Sequence, residues 1–174
     1  MKKLVFLALA AALAGGCASY RWTRSVPDDM RTVSVPTFRN SSDVTELGSL
    51  ATRQLLREFE REGTFKIASA DEAALEIQGE IKSASAPSLG MSRRTPNRAG
   101  AYRLTVNAVI TVIDRRTGRV LFTNRSYTGE GDFAITQDIM TGQRNASGRA
   151  AEDLARQIVD DLVSGRGLLK EKKQ

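Results

Sequence analysis

Histidine is absent from the 174 residues of this chain, and cysteine occurs once, at position 17. Without an imidazole or a spare thiol, the sequence offers no histidine-based acid–base catalysis, no cysteine nucleophile and few ways to build a zinc or copper site. A single cysteine also excludes a disulfide within the chain. No apolar run is long enough to cross the ~30 Å hydrocarbon core of a bilayer as a permanent helix. We therefore expect a protein that is not an enzyme and that holds no metal and no cofactor.

The beginning of the chain has the composition of an export signal. Two lysines precede a run of about ten apolar residues, 4–13, and two glycines stand directly before Cys17. Small residues before a cysteine resemble the lipobox of bacterial lipoproteins, although Ala14 occupies the place where most lipoboxes have leucine. The resemblance implies removal of a signal peptide, 1–16, and attachment of a diacylglycerol and an N-acyl chain to Cys17. An ordinary secretory signal with an incidental cysteine is the alternative.

The rest of the chain is long enough for one domain with a hydrophobic core but short for two. We divide it into a lipidated tether, 17–29, a single domain, 30–166, and a basic tail, 167–174. Ala18 follows the cysteine, and a residue other than aspartate at this place indicates sorting to the outer membrane. We therefore expect a protein that is held there by its lipid and faces the periplasm.

Hydrophobic periodicity predicts four strands and two helices in the order β-α-β-β-β-α. Each helix has one apolar stripe, so we expect both helices to pack on one face of a mixed four-stranded sheet, in a two-layer α+β sandwich. The predicted elements are a strand at Met30–Phe38, a helix ending near Glu62, strands at 74–84, Tyr102–Asp114 and Arg119–Thr128, and a last helix ending at Gly165.

Local residue chemistry predicts where the first helix begins and ends. Asp43 and Glu46 have the spacing of a capping box, in which side-chain oxygens bind the free amides of the first turn. Gly63 is predicted to end this helix in a left-handed conformation. Arg115-Arg116-Thr117-Gly118 reads as the tight turn of a β-hairpin.

Positive charge is concentrated in the middle of the chain. Between Lys82 and Arg125 there are nine basic residues and one acidic residue, Asp114, and arginine outnumbers lysine 19 to 7 overall. The planar fork of arginine suits bidentate binding of phosphate. This composition favours a surface that contacts an anionic lipid or glycolipid, because nucleic acid fits the charge but not an exported protein. The alternative, which has equal weight, is that the arginines reflect the codon usage of the genome and that charges at strand edges prevent sheet-to-sheet aggregation.

One pair of carboxylates lies near a predicted loop, at Glu130-Gly131-Asp132. We interpret it as part of a plain turn. The remaining carboxylates fall mostly on predicted polar faces of helices, which agrees with the expectation of no enzyme activity.

Several segments resemble the LptE family of lipopolysaccharide-assembly lipoproteins. The similarity runs through the segments 16–22, 31–40, 56–59 and 75–81, the hairpin at 114–118 and the final helix. It covers nearly the whole mature chain, although no single motif is diagnostic. Ala18-Ser19 replaces the usual single glycine before Tyr20, and the tryptophan common after the last helix is missing.

The resemblance implies an LptE-like role and partners. Members of this family plug the lumen of the outer-membrane barrel LptD and help it to insert lipopolysaccharide, which they contact through basic loops. The loop 85–100 is long, basic and free of acids. We therefore nominate Arg93, Arg94 and Arg98 as binding residues, with Arg103 and Lys82 at the base of the loop.

Two other classes stay open at this point. A regulatory lipoprotein, such as an activator of a penicillin-binding protein, also combines a lipobox with an α/β domain. The short tether argues against it, because about a dozen residues reach only ~40 Å at full extension. An envelope structural lipoprotein that binds only anionic headgroups is the third possibility.

Overall fold

The computed structural model describes residues 26–87, 101–134 and 139–165. Two helices pack against one mixed sheet, which confirms the predicted α+β fold, but the sheet has six strands rather than four. After a short 3-10 turn at Asp28–Met30, the elements are β1 (Thr32–Ser34), β2 (Arg39–Asn40), α1 (Leu47–Glu62), β3 (Lys66–Ile67), β4 (Leu75–Ser85), β5 (Ala101–Asp114), β6 (Arg119–Ala134) and α2 (Ile139–Val163).

The sheet is parallel on one side and antiparallel on the other. Its order is β3-β1-β4-β5-β6, and the short β2 also pairs with β4. β1 runs parallel to β3 and β4, whereas β4, β5 and β6 are antiparallel neighbours. The apolar β5 lies between two long strands, as its composition indicated.

Of the first predicted strand, Met30–Phe38, only Thr32–Ser34 belongs to the sheet. Residues 35–38 between β1 and β2 leave the ladder, since Pro36 has no amide to donate to it. The amide of Phe38 instead donates to Thr52 Oγ1 at 2.9 Å, and the Phe38 ring is buried. The two additional strands, β2 and β3, are two residues long each and lie outside the four predicted strands.

The start of α1 differs from the sequence prediction, whereas its end agrees. The helix begins at Leu47, after Glu46 in a left-handed conformation (φ 64°), and no side chain caps it. The predicted capping box of Asp43 and Glu46 is therefore wrong, because buried packing of Leu47 decides where the helix starts. Gly63 ends it in the predicted left-handed conformation (φ 79°).

The strand β6 is longer than the sequence predicted. It continues past Thr128 to Ala134, and Glu130 and Asp132 lie within it rather than in a turn. A Cβ on Gly129 would lie 2.1 Å from the Ala150 carbonyl oxygen of α2, so glycine here allows close helix–strand approach instead of chain reversal.

One hydrophobic core joins both helices to the same face of the sheet. Val26 is only 1% exposed and belongs to this core, although the sequence placed it in the tether. Core packing therefore begins at least four residues before the predicted boundary at residue 30. Other fully buried members are Leu55, Phe59, Leu75, Ile77, Ile81, Leu104, Ile110, Leu154, Ile158 and Leu162.

The two ends of the sheet carry different features. At one end, the hairpin turn 115–118 lies beside the beginning of the domain, where Arg116 Nη1 is 2.8 Å from Asp29 Oδ2. At the other end, β4 finishes at Ser85 and β5 begins at Ala101. The 14 residues of β5 span about 45 Å between these ends. None of the described helices is long and apolar enough to cross a membrane.

Candidate anion-contact surface at the loop end of the sheet

The nominated residues fall into two groups. Arg93, Arg94 and Arg98, like Cys17, lie outside the described residues. Arg103 and Lys82 are described, on β5 and β4 respectively. The contacts of Arg103 and Lys82 therefore show which charged groups surround the base of the loop.

Arg103 is held by carboxylates of the neighbouring strand. The register of β5 and β6 places Arg103 opposite Asp132, and its Nε and Nη2 lie 2.6 Å and 3.0 Å from the two Asp132 carboxylate oxygens. Its Nη1 lies 3.0 Å from Glu130 Oε2. Hydrogen bonding to Asp132 raises the pKa of Arg103, and the same bond lowers the pKa of Asp132. Arg103 is therefore a paired and oriented cation.

Lys82 belongs to a separate cluster around Glu80. Its Nζ lies 2.9 Å from Glu80 Oε1, which also accepts a hydrogen bond of 3.0 Å from Ser41 Oγ. Hydrogen bonds from Lys82 and Ser41 lower the pKa of Glu80. Ser83 pairs with Asn107, so about four strand residues, or ~13 Å, separate this cluster from Arg103. The two nominated side chains therefore do not form one site by themselves.

A charged groove lies between β6 and α2. It has a volume of about 480 Å³ and is lined by both acidic and basic side chains. The lining side chains are Arg103, Arg149 and Arg156 together with Glu130, Asp132, Glu152 and Asp153. With three arginines and four carboxylates, the groove is close to neutral. Its helical arginines did not figure in the sequence prediction, which followed charge only through the middle of the chain.

The basic residues at the hairpin end are also paired. Arg115 Nη1 lies 2.6 Å from Glu76 Oε2, and Arg116 contacts both Asp29 and Asp114. Acidic residues that lie close in space therefore offset much of the positive charge that is concentrated along the sequence.

The described residues contain no group of three histidine, cysteine or carboxylate side chains placed to hold a metal ion. Glu130 and Asp132 are engaged by Arg103, in an ion pair that stays exposed. The chemistry that this surface supports is electrostatic contact.

The model of one protein family covers most of this chain. The model of the LptE family, described as lipopolysaccharide-assembly, matches residues 30–162. Among curated proteins, none matches the chain.

Solved structures of other proteins have a similar fold, among them the following two. A minor lipoprotein from Acinetobacter baumannii is 12% identical with a TM-score of 0.52, over 79% of this chain and 95% of that one. Protein XCC0632 from Xanthomonas campestris is 14% identical with a TM-score of 0.53, over 81% of this chain and 91% of that one. Identities this low show similarity of fold alone.

Proposed function

Because this chain belongs to the LptE family, which acts in lipopolysaccharide assembly without enzymatic activity, we propose that it is an outer-membrane lipoprotein that plugs an LptD-like barrel. In this role it binds lipopolysaccharide through the basic loop at one end of its sheet. The observation that carries the proposal is the family match over residues 30–162, which spans nearly the whole folded domain.

The dimensions of the domain support a role as a plug. The strand β5 spans about 45 Å, close to the ~40–45 Å thickness of a bilayer with its headgroups. A domain of this length, set upright in a barrel lumen, reaches from one membrane surface to the other.

The positions of the two ends support a defined orientation. Val26 is buried in the core, so eight residues connect it to Cys17, with a reach of about 30 Å. A lipid on Cys17 would hold the hairpin end near the periplasmic leaflet. The loop end, with Arg93, Arg94 and Arg98, then points along the lumen toward the outer leaflet. Anchoring also raises the effective concentration of the domain beside a barrel partner.

The arrangement of charges favours weak electrostatic contact with lipopolysaccharide over tight binding. Arg103 is already engaged by Asp132 and Glu130, so a phosphate must compete with carboxylates for its fork. The loop 85–100 contains three arginines and no acidic residue, and in this role these arginines supply the positive charge that contacts the glycolipid. We expect glycolipid contact to weaken steeply as salt is raised, because exposed charges are screened over ~10 Å at 0.1 M ionic strength.

The anchor is tested by metabolic labelling with palmitate. We expect label in the wild-type mature chain and none in Cys17→Ser, together with recovery of the wild type in the outer-membrane fraction. Unlabelled wild-type protein would remove the basis for membrane attachment through this residue.

The binding loop is tested by charge reversal. Replacing Arg93, Arg94 and Arg98 with Glu is expected to reduce binding to lipopolysaccharide vesicles and to flatten its salt dependence. The matched control reverses three exposed arginines of the helices, Arg53, Arg57 and Arg144, and should change binding far less. Equal losses in both variants would show that net charge, not the loop, is responsible.

The partner is tested by affinity capture from detergent-solubilised outer membranes. Recovery of an LptD-like barrel supports the proposal. Recovery of a penicillin-binding protein would instead identify a regulatory lipoprotein, and binding to anionic vesicles without any protein partner would indicate a structural envelope role.

A further inference from the structure

The strand β6 forms one edge of the sheet, and it is long. It has 16 residues, whereas β3 at the opposite edge has two. A long edge presents a row of backbone N–H and C=O groups that can pair with a strand of another molecule. How these groups are satisfied therefore bears on self-association.

Side chains of α2 cover the outer edge of β6 between Thr128 and Asp132. Three of them, spaced four residues apart, each bind one backbone group of the strand. Arg149 donates to the carbonyl of Asp132, the amide of Glu130 donates to Asp153 Oδ2 at 3.1 Å, and Gln157 Nε2 donates to the carbonyl of Thr128 at 2.8 Å.

The spacing of these contacts follows from helix and strand geometry. Four helical residues rise ~6.0 Å, and two strand residues rise about 6.6–6.8 Å. The helix runs antiparallel to the strand, so each step of four along α2 meets the next outward-facing residue of β6. The chemistry alternates as well: a donor meets each carbonyl, and a carboxylate meets the amide. Because spacing and polarity both match, we regard the three contacts as one structural device.

Close packing lets these side chains reach the edge. A Cβ at Gly129 would lie 2.1 Å from the Ala150 carbonyl oxygen, and one at Gly131 would lie 2.2 Å from that of Ala146. The helix backbone therefore rests almost directly on the strand. Leu154 on the same helix is fully buried in the core. Core packing therefore holds the helix in place independently of the polar contacts at the edge.

We propose that Arg149, Asp153 and Gln157 form an edge guard that closes β6 against pairing with a second copy of this chain. A second copy is the natural occupant, since two identical edges can pair antiparallel about a two-fold axis and satisfy the same groups on both molecules. In the guarded state the chain is a monomer. A partner in the membrane then contacts this region through side chains, not by adding a strand to the sheet.

The test compares two triple variants of the full chain in a mild detergent. The first replaces Arg149, Asp153 and Gln157 with alanine. The matched control replaces three exposed residues of the same helix that bind no β6 backbone group in the described structure, Glu152, Arg156 and Asp160. Sedimentation velocity over a concentration series measures self-association, and circular dichroism checks that the helices remain.

We expect the wild type and the control to remain monomeric. The guard variant should form dimers at concentrations at least about tenfold below the highest concentration at which the wild type is still monomeric. Cross-linking between cysteines introduced at position 130 of two copies should then report antiparallel β6 pairing. A folded guard variant that stays monomeric throughout the series, or a control that dimerises equally, would overturn the proposal.

Two nearly isosteric changes keep the test decisive if the alanine variant fails to fold. Gln157→Glu places a carboxylate against the carbonyl of Thr128, and Asp153→Asn removes the charge that faces the amide of Glu130. Together they weaken the guard with little change in volume, and monomeric behaviour of this variant would equally refute the proposal. Neither outcome depends on lipidation or on the barrel partner, so the proposed function is tested separately.

Discussion

A methyl group added at Gly129 tests whether α2 rests as closely on β6 as the structure shows. In Gly129→Ala the new Cβ would lie 2.1 Å from the Ala150 carbonyl oxygen and 2.8 Å from Leu154 Cβ. Such contacts are shorter than van der Waals distance by more than 0.5 Å, and the carbonyl belongs to helix backbone, which cannot turn aside. Overpacking of a core costs about 1–3 kcal/mol. We expect about 2 kcal/mol, after allowing roughly 0.5–1 kcal/mol for the reduced entropy of the unfolded chain.

The same substitution at Gly148 is the control, because a Cβ there meets nothing within 4 Å. This glycine lies inside α2, where alanine has the higher helix propensity, so Gly148→Ala should stabilise the fold by about 0.5–1 kcal/mol. Urea unfolding followed by circular dichroism measures both variants. With a slope of about 2 kcal/mol per M, the midpoint of Gly129→Ala falls by ~1 M. If Gly129→Ala equalled or exceeded the wild type in stability, the close approach of helix and strand would be refuted.

Three further predictions concern buried polar and packed positions. Burial opposes ionisation of Asp114, but hydrogen bonds from the hairpin turn outweigh it and lower its pKa, so its contribution is present above about pH 4 and lost in acid. The stability difference between wild type and Asp114→Asn, measured by urea unfolding against pH, should therefore shrink as pH falls; a constant difference would contradict this. Burial and the Asp161 carboxylate raise the pKa of Tyr127, whose hydroxyl donates to Asp161 at 2.6 Å, so Tyr127→Phe should cost about 1–2 kcal/mol and leave the helix content unchanged. In Gly79→Ala the new Cβ would lie 2.4 Å from the Phe38 ring. The midpoint of thermal unfolding should therefore be lower in Gly79→Ala than in the double variant that also carries Phe38→Leu, in which the smaller side chain relieves the overpacking. Equal midpoints in the two variants would argue against this contact.

The elements that sequence predicted well are those in which one pattern settles both conformation and burial. Val106, Ala108, Ile110 and Val112 alternate on β5, and all four are buried against the helices. Gly63 behaves as predicted because a left-handed helix end has a local chemical requirement that glycine meets. Periodicity and backbone strain are properties of a few neighbouring residues, so they can be read without knowing the rest of the fold.

The predictions that were wrong depended on residues far away in the chain. The capping box failed because the first residues of α1, Leu47 and Gly48, are buried, with Gly48 against the Phe38 backbone, and local spacing cannot reveal such contacts. Glu130-Gly131-Asp132 resembled a turn because glycine permits one, yet the glycine is needed for the approach of α2. In both cases tertiary packing overrode a valid local preference.

The candidate site shows the same limit in its electrostatics. By sequence, Arg103 lies at the base of a basic loop, 85–100, that contains no acidic residue. Its carboxylate partner Asp132 is 29 residues away and becomes adjacent only through the register of β5 and β6. A count of charges along a sequence therefore overestimates the positive potential of a sheet, because cross-strand pairing can neutralise it.

The glycines of β6 and the edge guard both follow from the close packing of α2 on this strand. Gly129 and Gly131 let α2 lie on the strand, but glycine supplies no side chain to shield the edge that it helps to form. The helix is then the nearest element from which shielding can come, and its residues at every fourth position match the outward-facing groups of the strand. A variant that moved α2 away, such as Gly131→Ala, should therefore weaken the guard as well as the core. Faster amide exchange at Glu130 in that variant, at a concentration where it is monomeric, would reveal this coupling, and unchanged exchange would show that the two features are independent.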